Sequence, residues 1–249
     1  MQSTINWLAP QVHPELSRQA VHIWRASLEF DSAQLESFAR TLSDDERTRA
    51  QRFLFERDRN SFIAARGILR DLLARYSGCV PRNIEFVYGP HGKPALADRA
   101  TPYLLRFNLS HSHGLALIAV TREREIGVDV EKIQPERAGE EIANRYFSPA
   151  EAEELRTLPA DLRPEGFFLC WTRKEAYVKA LGEGLRFPLD RFQVSLSPGK
   201  PAQLHGDAGL RWSIEAFDPS FNSEPRYVAA VISEGQDSTA QFFEWKEIG

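Results

Sequence analysis

The stretch Gly-Val-Asp-Val-Glu-Lys-Ile at 127–133 alternates apolar and charged residues. Such alternation is typical of a β-strand, and it predicts that Asp129 and Glu131 share one face while Val128 and Val130 share the other. Two carboxylates side by side repel each other unless a cation lies between them. A hard divalent cation with oxygen ligands is the simplest partner. By spacing alone, an exposed strand face with two solvated acids remains open.

A second charged segment follows at 171–179, with the sequence Trp-Thr-Arg-Lys-Glu-Ala-Tyr-Val-Lys. Residues four positions apart share one face of a helix, so this segment would present Trp171, Glu175 and Lys179 together. That face offers a third carboxylate and an ammonium. A Glu–Lys pair at this spacing is also a routine surface ion pair, and that interpretation remains open. The tryptophan on the same face favours a functional surface.

The 249 residues have the composition of an ordinary globular protein and a net charge of -4. This charge gives no reason to expect nucleic acid or a membrane surface as the main partner. Two cysteines, Cys79 and Cys170, are too few for a disulfide framework. No basic, apolar leader pattern and no apolar run of membrane-spanning length is seen in the sequence. We therefore expect a cytoplasmic protein.

Helix and strand patterns occur twice in the same order along the chain. The repeated features are capping-box helix starts at Ser43 and Ser148, apolar helix patterns from Phe62 and Phe167, Gly-Lys-Pro-Ala turns at 92–95 and 199–202, and apolar strands at 116–123 and 227–234. We predict an α+β fold of two similar lobes, 1–124 and 125–249, related by a pseudo-two-fold. Each lobe would have a small, mostly antiparallel sheet with packed helices, and the active site would lie in the cleft between them. Chance recurrence of common capping and turn motifs is the alternative.

Several local elements are expected from the same patterns. Strands are predicted at 20–25 and 192–196, and a helix at 32–41. A further helix is predicted to start at Ser43 and to continue into the arginine-rich stretch between Arg47 and Arg75, and a third helix is predicted at 62–73. These arginines would form either an anion-binding face or a solvated helix surface.

The segment Asn-Leu-Ser-His-Ser-His-Gly at 108–114 is expected to be a polar turn before an apolar strand. Its hydroxyls, imidazoles and backbone N–H groups suit phosphate oxygens, although a polar turn without a ligand remains open. Ser110 lacks the glycine-framed elbow of a hydrolase nucleophile. His111 and His113 have no further ligand at zinc-like spacing.

Five motifs together resemble those of the 4′-phosphopantetheinyl transferase superfamily. They are Gly-Lys-Pro at 92–94, Asn-Leu-Ser-His-Ser at 108–112, Gly-Val-Asp-Val-Glu-Lys at 127–132, Phe-Ser-Pro-Ala-Glu at 147–151, and Trp-Thr-Arg-Lys-Glu-Ala-Tyr-Val-Lys-Ala-Leu-Gly-Glu-Gly-Leu at 171–185. The length and doubled layout resemble its two-lobed, surfactin-synthetase-activating type. The similarity extends from Leu42 to Val194.

The resemblance implies transfer of the phosphopantetheine arm of coenzyme A to a serine of an acyl, peptidyl or aryl carrier protein, with release of 3′,5′-ADP. It implies that Asp129, Glu131 and Glu175 hold Mg²⁺, with Mn²⁺ as a second candidate. Lys179 would contact the phosphates or the leaving group. Glu175 would also act as the general base, directly or through water. A monomer would suffice, because both walls of the cleft come from one chain.

The resemblance also assigns contacts to coenzyme A. Lys93, Ser110 and His111 would bind its phosphates. Relatives use basic residues of the first lobe for the 3′-phosphate, but here Glu46 stands where some carry lysine. The candidates for that phosphate are therefore Arg47, Arg49, Arg66 and Arg70. Two other functions remain open: a coenzyme A- or nucleotide-binding regulator without turnover, and a metal-dependent phosphohydrolase.

Overall fold

The computed structural model describes residues 5–9, 11–97, 103–184 and 187–247. The helices are α1 (Ser32–Thr41), α2 (Asp44–Gln51), α3 (Glu56–Ser77), α4 (Glu140–Tyr146), α5 (Pro149–Thr157), α6 (Arg163–Leu181) and α7 (Asp207–Arg211). The strands are β1 (Ala20–Ser27), β2 (Phe86–Tyr88), β3 (Pro94–Leu96), β4 (Leu105–Ser112), β5 (Leu115–Arg122), β6 (Ile126–Lys132), β7 (Trp212–Phe217), β8 (Tyr227–Glu234) and β9 (Thr239–Glu244). Leu185, which ends the last of the five motifs, lies outside the described residues. None of the helices described is long and apolar enough to cross a membrane.

The strands form two main sheets and a small hairpin. The first sheet has the order β4-β5-β1-β9, the second has the order β6-β8-β7, and β2 pairs with β3. All neighbours are antiparallel except β1 and β9, which are parallel. The predicted α+β class with small, mostly antiparallel sheets is therefore confirmed. The pseudo-two-fold and the boundary after residue 124 stay predictions, and β9, which follows that boundary, pairs with β1 of the first sheet.

The two sheets pack face to face, with α3 covering the outer face of the first sheet and α6 covering that of the second. Representative residues of the three resulting cores are Leu72 with Ile118, Ile23 with Val130, and Ala176 with Ile232. Because central strands such as β5 and β8 are buried on both faces, their sequences are nearly continuous apolar runs. Burial of these apolar surfaces is the main stabilising contribution to the fold.

The two helix starts predicted at Ser43 and Ser148 are confirmed, and each of these helices has a buried carboxylate in its capping box. In α2, Glu46 accepts hydrogen bonds from Nε of Arg66 at 2.6 Å and Nε of Arg70 at 2.7 Å. In α5, Glu151 pairs with Nζ of Lys174 at 2.7 Å. In each case a capping-box carboxylate neutralises cations of the following long helix, because a buried charge must be paired.

Three local predictions were wrong. The helix that starts at Ser43 ends at Gln51, early in the arginine-rich stretch, and the next helix begins at Glu56 rather than at Phe62. Phe53, between the two helices, packs on Phe62 with the ring centroids 5.3 Å apart. Most of the expected polar turn at 108–114 is strand β4. The strand expected at 192–196 is reduced to one isolated bridge between Val194 and Leu204.

Two glycines fix the backbone near the candidate site. Gly114 (φ 86°) and His113 (φ 45°) form the two-residue turn between β4 and β5, and positive φ at both positions suits a tight hairpin. Gly127 lies where β6 meets α6 so closely that a Cβ atom would stand 2.0 Å from the carbonyl oxygen of Ala176. Only glycine permits this approach, which brings β6 directly against the helix that carries Glu175.

Candidate functional site

The site lies where β4, an edge strand of the first sheet, meets β6, an edge strand of the second sheet. The side chain of Asn108 on β4 accepts a hydrogen bond from the backbone N–H of Val128 on β6 at 2.9 Å. Two residues further along β4, Ser110 donates to Oδ1 of Asp129 at 2.8 Å. We call this contact the β4–β6 seam, formed by Asn108, Ser110, Ser112 and 128–132. Side chains rather than a backbone ladder join the two sheets here.

Ser112 completes the seam. Its hydroxyl donates to Oε2 of Glu131 at 2.8 Å and accepts from the backbone N–H of Lys132 at 3.3 Å. The period-two pattern of Asn108, Ser110 and Ser112 places all three on one face of β4. Asn108 and Ser112 were not among the predicted site residues, although this alternation could have indicated them.

The structure brings the three predicted metal-ligating carboxylates into one electrostatic neighbourhood. Burial, and then the adjacent Asp129, raise the pKa of Glu131 to about 7. The same two causes, in the same order, raise the pKa of Glu175 on α6. Because each carboxylate disfavours ionisation of its neighbours, a cation in this region would be stabilised.

Asp129 is the most constrained of the three carboxylates. Its Oδ1 accepts from Nζ of Lys179 at 2.6 Å as well as from Ser110. Its Oδ2 is buried and has no hydrogen-bond partner, an arrangement that costs free energy. Among the residues described, no three His, Cys, Asp or Glu side chains converge as a formed metal site. The donor set nevertheless fits a hard cation, since it consists of carboxylate oxygens with one buried oxygen lacking a partner.

A cleft of about 810 Å³ adjoins the seam. His111, His113 and Lys132 line it from the two sheets, and Arg57 and Ser61 line it from the N-terminal end of α3. Desolvation, and then the positive charge of Lys179, lower the pKa of His111. The volume suits a nucleotide-sized ligand, and the positive end of the α3 dipole favours negatively charged groups.

Lys93 lies at the junction of β6 and α6. Its ammonium donates to Glu125 at 3.0 Å and to the carbonyl oxygens of Ile126 at 3.1 Å and Ala180 at 3.0 Å. These bonds use all three donors of the ammonium. Lys93 thus connects the C-terminal end of α6 to β6. Its contact with phosphate stays a prediction, and it requires the ammonium to exchange some of these hydrogen bonds for bonds to phosphate oxygens.

The four candidate arginines lie in different environments. Arg66 and Arg70 are buried around Glu46, and Arg47 pairs with Asp44. Arg49 lines an open pocket of about 650 Å³, and this pocket shares Phe53 with the cleft. Sequence alone could not separate these roles, because a guanidinium that binds a ligand and one that pairs with a buried glutamate look the same.

Comparisons with known proteins identify the family of this chain. Residues 125–232 match the 4′-phosphopantetheinyl transferase superfamily, and residues 24–123 match the family described as 4′-phosphopantetheinyl transferase, N-terminal. The chain is 42% identical over 229 residues to the 4′-phosphopantetheinyl transferase HetI of Nostoc sp., covering 92% of this chain and 94% of HetI. It is 32% identical over 209 residues to the 4′-phosphopantetheinyl transferase Sfp of Bacillus subtilis, covering 81% and 86% of the two chains.

A human relative, L-aminoadipate-semialdehyde dehydrogenase-phosphopantetheinyl transferase, is 30% identical over 220 residues, which cover 81% of this chain and 70% of the relative. The chain therefore belongs to the 4′-phosphopantetheinyl transferase superfamily. It is an enzyme that transfers phosphopantetheine to carrier proteins. The predicted resemblance is confirmed.

Proposed function

We propose that the donor in this transfer is coenzyme A, that the product released is 3′,5′-ADP, and that the reaction depends on Mg²⁺. The observation that carries this proposal is the buried, unpartnered Oδ2 of Asp129 beside Glu131 and Glu175. An uncompensated group of carboxylates attracts a divalent cation, and the cation in turn favours an anionic substrate. The adjoining cleft has room for the nucleotide half of coenzyme A.

Asp129, Glu131 and Glu175 would hold the metal ion. When bound, the ion supplies positive charge that neutralises the pyrophosphate of coenzyme A. Mn²⁺ shares the preference for oxygen ligands and is a second candidate. Ser110 and Ser112 orient two of the carboxylates through their hydrogen bonds, which limits the reorganisation that ion binding requires.

Lys179 would change partners when the substrate binds. In the structure it donates to Asp129 and, at 2.9 Å, to the hydroxyl of Ser110. A metal ion on Asp129 would compete with this ammonium, which would then contact the phosphates of coenzyme A. His111, on the wall of the cleft, would bind a further phosphate oxygen.

Glu175 is our candidate for the general base. The serine hydroxyl of the carrier attacks the β-phosphorus, so that a serine O–P bond forms while the bridging P–O bond breaks and its electron pair leaves with 3′,5′-ADP. The hydroxyl proton passes to Glu175, directly or through water. A carboxylate near its target can serve as such an acceptor where the geometry allows.

We assign the 3′-phosphate to Arg49 rather than to the other three candidate arginines, because its pocket is open and adjoins the cleft through Phe53. Replacing Arg49 with Gln should weaken binding of coenzyme A far more than binding of 3′-dephospho-coenzyme A. Equal losses for both ligands would reject the assignment. Arg47→Gln is the matched control on the same helix.

All residues assigned to the site come from one chain, and we propose that the protein acts as a monomer. The proposed reaction is tested by incubating the protein with coenzyme A, Mg²⁺ and a panel of apo-carrier proteins, followed by intact-protein mass spectrometry. We expect a phosphopantetheine adduct on at least one carrier and release of 3′,5′-ADP. A regulator would bind coenzyme A and modify no carrier, whereas a phosphohydrolase would cleave coenzyme A in the absence of any carrier.

A further inference from the structure

Arg173 on α6 is a buried arginine, only 2% exposed, with few partners. One terminal nitrogen donates to the carbonyl oxygen and the hydroxyl of Ser195. Its Nε is buried and has no hydrogen-bond partner. Within the described parts of the chain, no carboxylate lies within ion-pair distance of this guanidinium. Arg173 thus differs from the buried cations of α3 and from Lys174, which pair with carboxylates.

A buried cation without a counterion is costly. Burial lowers the pKa of Arg173 to about 10, and the more distant charge of Glu154 opposes this shift only in part. The guanidinium therefore remains charged at neutral pH. It is a positive charge without a paired carboxylate. Arg173 and Glu175 are two positions apart on α6 and therefore point to different sides of the helix, so Arg173 does not face the carboxylates of the β4–β6 seam.

Arg173 lines a pocket of about 180 Å³. Two more cations, Lys200 and Arg226, and two acids, Glu165 and Asp218, also line this pocket. Arg226 is neutralised by Glu165 at 2.7 Å. In the described residues, the ammonium of Lys200 makes neither a hydrogen bond nor an ion pair. Apart from the Arg226–Glu165 pair, the pocket therefore contains two cations, Arg173 and Lys200, and one carboxylate, that of Asp218.

We propose that this pocket, the Arg173 pocket, binds a compact phosphate-type oxyanion. A guanidinium donates charge-assisted hydrogen bonds to the oxygens of such an anion, here from the terminal nitrogen that Ser195 leaves free, and an adjacent ammonium adds a point charge. The volume is too small for a nucleotide, since sites for drug-sized ligands start at about 300 Å³. A bound anion would connect α6 with the turn at 199–202 and with the facing ends of β7 and β8.

The test measures binding of inorganic phosphate to the full chain by calorimetry and by the rise in thermal midpoint, at an ionic strength held constant with NaCl. Lys200→Gln removes an exposed cation of the pocket and should weaken binding about tenfold, the size expected for one charge-assisted hydrogen bond. Arg173→Gln should abolish binding to this pocket, which is the phosphate response that remains when the cleft is altered by His111→Ala. Arg82→Gln, which removes an exposed cation elsewhere, should leave it unchanged, and sulfate should replace phosphate whereas acetate should not.

His111→Ala separates this site from the cleft, where phosphate is also expected to bind. Loss of the phosphate response in His111→Ala, with a full response in Lys200→Gln and Arg173→Gln, would overturn the proposal. So would the absence of any response in the unaltered protein. If Arg173→Gln does not fold, Lys200→Gln decides alone, and an affinity equal to that of Arg82→Gln would reject the site.

Discussion

The ammonium of Lys179 lies 2.6 Å from Oδ1 of Asp129, while Oδ2 of the same carboxylate is buried without a partner. Asp129 raises the pKa of Glu131 and of Glu175, after the larger effect of burial, and Glu175 adds to the shift of Glu131. Lys179 is therefore the main counterion for three carboxylates. This shortage of positive charge is the physical reason for expecting a divalent cation here.

The first prediction concerns Asp129. Mg²⁺ should raise the thermal midpoint of the unaltered protein, because a ligand that binds only the folded state stabilises it. Asp129→Asn should lose this response and should reduce the rate of transfer by about 100-fold or more. Differential scanning fluorimetry with and without Mg²⁺ provides the measurement. Glu215→Gln, which removes an exposed carboxylate of β7, is the control, and an unchanged Mg²⁺ response in Asp129→Asn would contradict the assignment.

The second prediction concerns pH. The pKa of Glu131 is raised from 4.5 to about 7, so the folded state holds this proton more tightly than the unfolded chain does. The stabilisation of the folded state that comes from this tighter proton binding is complete below pH 4.5 and is lost as the pH rises through 7. Without metal, Glu131→Gln should therefore be more stable than the unaltered protein at pH 8, by about 2 kcal/mol. The advantage should shrink toward pH 5.

Urea unfolding at several pH values in the presence of a chelator measures this difference. Adding Mg²⁺ should reverse the order at pH 8, since only the unaltered protein keeps all three ligands. An Mg²⁺-independent difference, or parallel pH profiles for the two proteins, would contradict the interpretation of Glu131.

The third prediction concerns a buried histidine in the core of the first sheet. Nε1 of Trp24 donates to the hydroxyl of Tyr76 at 2.8 Å, and Nδ1 of His22 lies 2.8 Å from the same hydroxyl. Protonating His22 would place a charge inside this core, where burial disfavours the charged form. Burial lowers its pKa from 6.5 to about 4, so the stability tied to neutral His22 is present above pH 6.5 and is lost as the pH falls through 4.

The free energy of unfolding should fall by up to about 3 kcal/mol across this range on account of His22. Chemical denaturation at pH 7 and pH 4 measures the change. His22→Gln should flatten the pH dependence between these values, whereas the exposed His13→Gln should not. If both variants followed the unaltered protein, another group would be responsible for the loss in acid.

The fourth prediction concerns the contact between β6 and α6. In Gly127→Ala, the added methyl would meet the backbone of α6, 2.0 Å from the carbonyl oxygen of Ala176 and 2.3 Å from the backbone nitrogen of Ala180. We expect a loss of about 3 kcal/mol in the free energy of unfolding and a fall in the rate of transfer, because the displaced helix carries Glu175. Gly139→Ala, where no atom lies within 4 Å of the new methyl, is the control. Equal stability of the two variants would show that α6 can move away freely.

Local patterns in the sequence predicted the capped helices and the apolar strands well, because caps and periodicity act over a few residues. They also placed Asp129 and Glu131 on one strand and Glu175 on the facing helix. They failed at β4, because Asn108, Ser110 and Ser112 are polar residues that are buried against another strand, to which they form hydrogen bonds. Hydrophobicity therefore does not mark them as buried. The alternation of polar residues at 108–112 is compatible with such a strand, but the partner strand that separates it from a solvated turn lies elsewhere in the sequence.

The roles of the cations were equally inaccessible to the sequence. Lys93 forms hydrogen bonds across the junction of β6 and α6, and Arg66 and Arg70 neutralise Glu46. A cation that binds a substrate and a cation that neutralises a buried carboxylate have the same residue type and similar spacing. Only the tertiary structure determines which charges meet, so the sequence predicted the carboxylates of the site better than its phosphate contacts.

The most direct test of the proposed site is the rate of phosphopantetheine transfer to an apo-carrier, followed by intact-protein mass spectrometry over a range of Mg²⁺ concentrations. The unaltered protein and Glu215→Gln should require Mg²⁺ and should reach the same plateau. Glu175→Gln should stay at least about 100-fold slower even at saturating Mg²⁺, because it lacks both a metal ligand and the proton acceptor. Full turnover by Glu175→Gln, or transfer by the unaltered protein that continues undiminished in a chelator, would contradict the proposed site.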